Sequence, residues 1–270
     1  MSRITQKFID LKAQDRRGFI PFVSAGDPDI KTSKQIVLTL AENGADLIEL
    51  GVPFSDPMAD GPTIQMSSQR ALENGVTLNN ILEMVRSIRT ETDIPIVLFS
   101  YVNPLFRYGF ERIAKDASAA GVDGVLITDA VDEEAAEISS LLRSHGIDLI
   151  SLIAPTTSDE RLKKIAEHAS GFIYAVSRAG VTGAQKETSD AAEQLVSRAR
   201  QFADLPIAVG FGISTPEQIT DVWRYADAAV VGSAIVAEIE RSIGGGDTME
   251  RVTDFVRRLL PTVAKQATEI

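Results

Sequence analysis

Eight short runs of aliphatic and β-branched residues recur along the chain, and they constrain its fold more than any other feature. FIPFV at 19–23, DLIEL at 46–50, IPIVLFS at 94–100, DGVLIT at 123–128, IDLISLI at 147–153, GFIYAV at 171–176, LPIAVG at 205–210 and DAAVVG at 227–232 are apolar in continuous stretches rather than at alternate positions. Strands of that kind must be covered on both faces, as in a parallel sheet wrapped by helices. Amphipathic helical patterns fall between them, for example Ile36, Val37, Leu40 and Ala41 before Gly44, and Leu78, Ile81, Leu82, Val85 and Ile88 behind the N-cap candidate Thr77. Eight such units in 270 residues match the count and size of a (β/α)8 TIM barrel. An open doubly wound sheet would carry Gly-x-Gly-x-x-Gly after its first strand, where Ser24-Ala25-Gly26-Asp27-Pro28 stands instead.

Two further segments complete the expectation of one domain over 1–270. Ile4, Phe8 and Leu11 have helical spacing and predict an extra N-terminal helix under the barrel. After the glycine run 244–246, Met249, Val252, Phe255, Val256, Leu259 and Leu260 predict a C-terminal helix that stops at Pro261.

Composition narrows the chemistry. Acidic residues outnumber basic ones 38 to 27, a net charge of −11 that disfavours a general grip on nucleic acid or anionic lipid. With no cysteine there is no disulfide, thiolate nucleophile or Cys-ligated metal, and His145 and His168, both in helical patterns, are too few for a polyhistidine site. The opening MSRITQKFIDLKAQDRRG lacks the apolar core of a signal peptide and no run is long enough to span a bilayer, so a cytoplasmic location is expected.

A barrel builds its active site from the C-terminal ends of its strands. Glu49 sits at such an end between Ile48 and Leu50, and a carboxyl in an apolar mouth favours its protonated form and can deliver a proton near neutral pH. The following loop, 51–62, packs three prolines and two glycines around Asp56 and Asp60, stiff enough to hold Asp60 over the mouth. Tyr174 belongs to the sixth run, and the loop behind it, carrying Ser177, Arg178, Gly180, Thr182 and Gly183, has the character of a lid over 178–187. Gly210-Phe211-Gly212-Ile213-Ser214 and Val231-Gly232-Ser233-Ala234 end the last two strands, where barrels hold phosphate on backbone amides and a helix N-terminus. None of the eight runs contains a lysine for a Schiff base. Carboxylates, a tyrosine and a phosphate grip suit proton transfer on a phosphorylated small molecule.

The runs PFVSAGDPD, ELGVPFSDPMADGPTIQ, SRAGVTGA, GFGIS and VGSAIV, in this order, closely resemble tryptophan synthase alpha chains from the first strand to Ile235, with the Glu49-to-Asp60 spacing the most specific part. The resemblance implies a lyase that splits indole-3-glycerol phosphate into indole and glyceraldehyde 3-phosphate by a retro-aldol reaction. It implies no cofactor or metal in this chain, and a beta subunit that holds pyridoxal phosphate and joins it in an alpha2beta2 tetramer. Mapped by that resemblance, Glu49 is the acid–base residue, Asp60 the acceptor for the indole N–H, and Tyr174 a support for Glu49 or the substrate hydroxyls. Gly183, Phe211, Gly212, Gly232 and Ser233 hold the phosphate, and Phe22, Phe99, Tyr101, Leu126 and Thr182 line the indole pocket. Asp129-Ala130-Val131-Asp132-Glu133-Glu134 departs from the family in lacking its prolines, and Thr128 adds a hydroxyl. A stand-alone lyase that releases indole and a noncatalytic activator of a beta subunit are the alternatives to a tetramer subunit.

Overall fold

The structure, a computed structural model, describes residues 1–130, 132–176, 185–210 and 212–261. Eight parallel strands, β1 (Gly18–Ser24), β2 (Ile48–Gly51), β3 (Ile96–Ser100), β4 (Gly124–Ile127), β5 (Asp148–Ile153), β6 (Ile173–Val176), β7 (Ile207–Gly210) and β8 (Ala228–Val231), pair in chain order. The barrel closes between β8 and β1, with Gly18 opposite Ala228 and Ile20 opposite Val230. The (β/α)8 reading is thereby borne out.

Continuous apolarity has the predicted cause. One set of side chains, including Ile20, Val97, Leu126, Ile150, Phe172 and Val230, fills the barrel interior, while the alternate set, including Val23, Leu50, Leu98 and Val209, packs against the helices outside. Helix α1 (Arg3–Ala13) turns Ile4, Phe8 and Leu11 into the interior cluster, and the Phe8 and Phe172 rings lie 5.7 Å apart. Each of these buried side chains contributes about 1.5–3 kcal/mol of transfer free energy, so α1 closes the barrel's lower end as expected.

A repeated polar clasp sets the strand register at that lower end. Asp46, Asp123 and Asp227, each just ahead of an even-numbered strand, accept from the backbone N–H of Phe19, Ile96 and Ile207 at 3.0, 2.8 and 2.8 Å. Ser170 does the same for Leu149 at 3.0 Å. The three carboxylates are paired with Arg16, Arg89 and Arg200, which supply the charge that a desolvated carboxylate needs.

Two helices interrupt the simple alternation, and the sequence patterns did not isolate them. α3 (Pro62–Glu73) follows the proline-rich loop directly, and α5 (Val102–Tyr108) follows Tyr101. Around the barrel run α2 (Ile30–Glu42), α4 (Leu78–Ile88), α6 (Phe110–Ala120), α7 (Asp132–Ser144), α8 (Asp159–His168), α9 (Gln185–Ala199), α10 (Pro216–Val222) and α11 (Ser233–Ser242). Thr77 caps α4 in a reciprocal box with Asn80, and α12 (Thr248–Leu259) is the expected C-terminal helix. His168 is the last residue of α8, but His145 lies in the turn after α7 rather than within a helix, because Gly146 at φ 75° ends the helical path.

Candidate active site

Strand β2 is four residues long and splits its side chains cleanly between two environments. Ile48 and Leu50 join the outer helix-facing core, which leaves Glu49 pointing into the barrel beside Phe22 of β1 and Val97 of β3. Glu49 is 1% exposed, and among the described residues neither carboxyl oxygen has a hydrogen-bond partner. Burial with no compensating donor raises its pKa to about 8, so the group is protonated at neutral pH. A buried acid left without a partner costs stability and is retained where its proton has work to do.

Asp60, in the loop that follows β2, is held by that loop and by its neighbours. The Tyr101 hydroxyl donates to Asp60 Oδ2 at 3.0 Å and accepts from the Ala59 N–H at 3.0 Å. Gln65 Nε2, in the first turns of α3, donates to the Asp60 carbonyl at 2.9 Å, and Ser68 Oγ accepts from the Phe54 N–H at 2.9 Å. Desolvation raises the Asp60 pKa to about 6 against the opposing pull of the Tyr101 hydroxyl, which leaves the carboxylate mostly ionised at pH 7. Tyr101 itself is fixed from the other side: Asp129 Oδ1 accepts from the Val102 N–H at 2.7 Å and caps α5 at its first residue. The departure from the family loop at 129–134 therefore keeps at least this one anchoring carboxylate.

Aromatic rings line the cleft beside Asp60. Phe22 and Phe99 meet edge to face at 5.3 Å, and Phe54 packs on Tyr101 at 5.3 Å. Phe22, Phe99, Tyr101 and Asp60 line one cleft, together with Ile64 and Ser68 of α3. Leu126 is in register with Phe99 but belongs to the barrel interior rather than to the wall of this cleft. Ile64 carries no motif in the sequence; the only signal for it is its place four residues after Asp60, on the first turn of α3.

Tyr174 of β6 is buried, and burial followed by the nearby Glu49 and Asp60 charges pushes its hydroxyl well above the usual phenol range. Among the described residues no hydrogen bond joins it to Glu49. Its hydroxyl stands 2.1 Å from the point where a Cβ on Gly210 would lie, so glycine at 210 is what lets the ring reach the mouth.

Of the phosphate candidates, Gly212 has a left-handed backbone at φ +78°, and among the described residues no atom lies within 4 Å of where its side chain would be. Gly232 precedes α11 without a side-chain cap, and the first bond of that helix is Ile235 N–H to Gly232 C=O at 2.9 Å. The amides of Ser233 and Ala234 lie ahead of that bond in the first turn of α11, where a helix has no intrahelical partner for them, next to the exposed Ser233 hydroxyl. Thr182, Gly183 and Phe211, and with them the lid expected over 178–187 as far as Ala184, lie outside the described residues.

Comparison with known proteins gives the chain's family. The sequence model of a family described as tryptophan synthase alpha chain matches residues 8–264. The chain is 51% identical over 265 residues to the tryptophan synthase alpha chain of Citrifermentans bemidjiense, covering 98% of this chain and 99% of that one. It is 52% identical over 241 residues to the Geobacter sulfurreducens protein of the same name, covering 89% and 91%. Its fold is similar to the crystal structure of tryptophan synthase subunit alpha from Legionella pneumophila, with a TM-score of 0.89, 35% identity and coverage of 96% and 97%. It is also similar to a chain of the tryptophan synthase a2b2 complex of Pyrococcus furiosus, with a TM-score of 0.84, 41% identity and coverage of 90% and 97%. The chain belongs to the tryptophan synthase alpha chain family, lyases that cleave indole-3-glycerol phosphate in tryptophan biosynthesis.

Proposed function

We propose that Glu49 and Asp60 divide the retro-aldol cleavage of indole-3-glycerol phosphate between them, Glu49 moving protons and Asp60 holding charge. The observation that carries this reading is the buried, unpartnered Glu49 carboxyl, protonated at neutral pH, in the same mouth as a fixed and ionised Asp60. Glu49 donates its proton to indole C3, which turns the ring into an indolenine cation. Asp60 accepts a hydrogen bond from the ring N–H and stabilises that positive charge. Glu49, now a carboxylate, takes the proton from the hydroxyl on the carbon attached to C3. The C–C bond breaks, its electron pair returns to the ring, and the hydroxyl carbon becomes the aldehyde of glyceraldehyde 3-phosphate. Glu49 regains its proton and indole keeps the one it received, so protons and electrons balance without a metal or a Schiff base.

The aromatic cleft of Phe22, Phe99 and Tyr101 takes the indole ring. The amides at Gly212, Ser233 and Ala234 and the Ser233 hydroxyl take the phosphate, with Thr182, Gly183 and Phe211 assigned by family resemblance. Tyr174, buried beside Gly210, supports the glycerol hydroxyls or Glu49. The reading also places the chain in the cytoplasm as the alpha partner of a beta subunit that carries pyridoxal phosphate; among the described residues no helix is long and apolar enough to cross a membrane. The decisive experiment is release of indole from indole-3-glycerol phosphate by the purified chain with and without a beta subunit. Activity in the wild type and its loss in Glu49→Gln, with ligand binding intact, supports the reading. A Glu49→Gln variant with wild-type turnover contradicts it.

A further inference from the structure

Arg70 lies outside the substrate cleft yet joins three of the segments that build it. Its Nε and Nη2 donate to Asp27 Oδ1 and Oδ2 at 2.8 and 2.9 Å, and its Nη1 donates to Glu240 Oε1 at 2.9 Å. Arg70 is on α3, the helix that begins two residues after Asp60. Asp27 is 2% exposed in the loop that leaves β1. Glu240 is on α11, whose first residue is Ser233.

The helices α3 and α11 run side by side in the same direction. At one end Ile64 comes within 3.7 Å of the Cβ position of Gly232, and at the other Arg70 meets Glu240. The first contact is apolar and tolerates sliding; the second is a planar fork with directional bonds on both sides. Ser67 and Asn74 already tie α3 to the β1 loop, through Ser24 Oγ at 2.5 Å and the Pro28 carbonyl at 2.6 Å. Among the described residues the ion pair from Arg70 is what carries that tie onward to α11.

We propose that Arg70 is a positioning residue that fixes α3 against α11 and thereby sets the distance between the indole-binding Asp60 and the phosphate-binding turn at Gly232 and Ser233. The proposal rests on the site assignments above. A substrate held at both ends reacts only if those ends match its length, and a misplacement of about 1 Å costs on the order of 100-fold in rate. The Arg70–Glu240 pair is partly exposed, at 22% and 36% of side-chain area, so it adds little to global stability while controlling register.

Glu240→Ala removes the tie to α11 and leaves the Asp27–Arg70 fork in place. The expected result is a roughly tenfold fall in kcat for indole-3-glycerol phosphate cleavage and weaker binding of an unreactive indolylalkyl phosphate that spans both ends. Binding of glycerol 3-phosphate, which uses the phosphate end alone, stays within about twofold, and Tm stays near wild type. Glu240→Gln keeps an acceptor oxygen and restores most of the rate. Arg70→Lys keeps the charge but loses the fork; it lowers kcat and spanning-analogue affinity as Glu240→Ala does, and also lowers Tm, because the buried Asp27 loses its bidentate partner. Wild-type kcat and wild-type affinity for the spanning analogue in both Glu240→Ala and Arg70→Lys overturn the proposal, as does a rate loss matched by equal weakening of glycerol 3-phosphate. A wild-type chain that neither makes indole nor binds either ligand overturns the site assignment together with it; an active wild type with unaffected variants overturns the register claim alone.

Discussion

The Tyr101 hydroxyl donates to Asp60 Oδ2 at 3.0 Å while accepting from the Ala59 N–H at the same distance, so one phenol holds both the carboxylate and the backbone that precedes it. Tyr101→Phe removes both contacts and keeps the ring. The Asp60 pKa should rise further, because the hydroxyl is the contact that opposes desolvation there. At pH 7 kcat/KM should fall about tenfold, the cost of one hydrogen bond to a charged group. The acid limb of the pH profile should move upward; an unmoved limb would show that Tyr101 does not tune Asp60.

The two carboxyl groups should give a bell-shaped pH dependence of kcat/KM in the free enzyme. Asp60 must be ionised to balance the cationic ring, so activity falls as pH drops through about 6. Glu49 must carry its proton to begin the reaction, so activity falls as pH rises through about 8. A profile flat from pH 5 to 9 is incompatible with these roles.

Glu49 should also lower stability in a pH-dependent way. Its pKa is near 8 when folded and at the ordinary value of 4.5 when unfolded, so between those values the native state binds more protons and stability declines as pH rises. Glu49→Gln removes that decline. Thermal denaturation should find the variant close to wild type near pH 4.5 and more stable at pH 7 by on the order of 1–3 kcal/mol, the direction expected for a group kept for catalysis.

Phosphate binding should depend on backbone shape at Gly212 more than on the hydroxyl of Ser233. Among the described residues no atom blocks a side chain at 212, so a loss there reflects the left-handed φ of +78° and the closed approach to the amides. Titration with glycerol 3-phosphate should show at least a tenfold weaker Kd for Gly212→Val and about a threefold weaker one for Ser233→Ala, which loses a single hydrogen bond.

The lower end of the barrel offers a control. Phe8→Ala opens a cavity against Phe172 and should cost about 3–4 kcal/mol in chemical denaturation while leaving kcat at permissive temperature unchanged. A large change in kcat without a change in stability would mean that α1 communicates with the mouth.

How much of this was legible beforehand follows from the kind of force involved. The barrel could be read because eight continuous apolar runs have few other ways to bury both faces, and Ile4, Phe8 and Leu11 revealed their helix by spacing alone. Glu49 stood out as the one acid enclosed by such a run near its end, and Asp60 by its proline-rich loop. Helix α3 was hidden because polar residues dominate it: Gln65, Ser67, Ser68 and Arg70 hold it through hydrogen bonds to Asp60, Ser24, Phe54 and Asp27, and these leave no period in hydrophobicity. The link from Asp129 to Val102 joins residues 27 positions apart, so nothing local announces it.

The central claim is that the buried Glu49 proton starts the cleavage. Its most direct test is single-turnover indole release at pH 7 by wild type and Glu49→Gln, alongside binding of an unreactive indolylalkyl phosphate. The account predicts indole from the wild type, a rate at least 100-fold lower in Glu49→Gln, and analogue affinity within about threefold. Indole release by Glu49→Gln at the wild-type rate would contradict it.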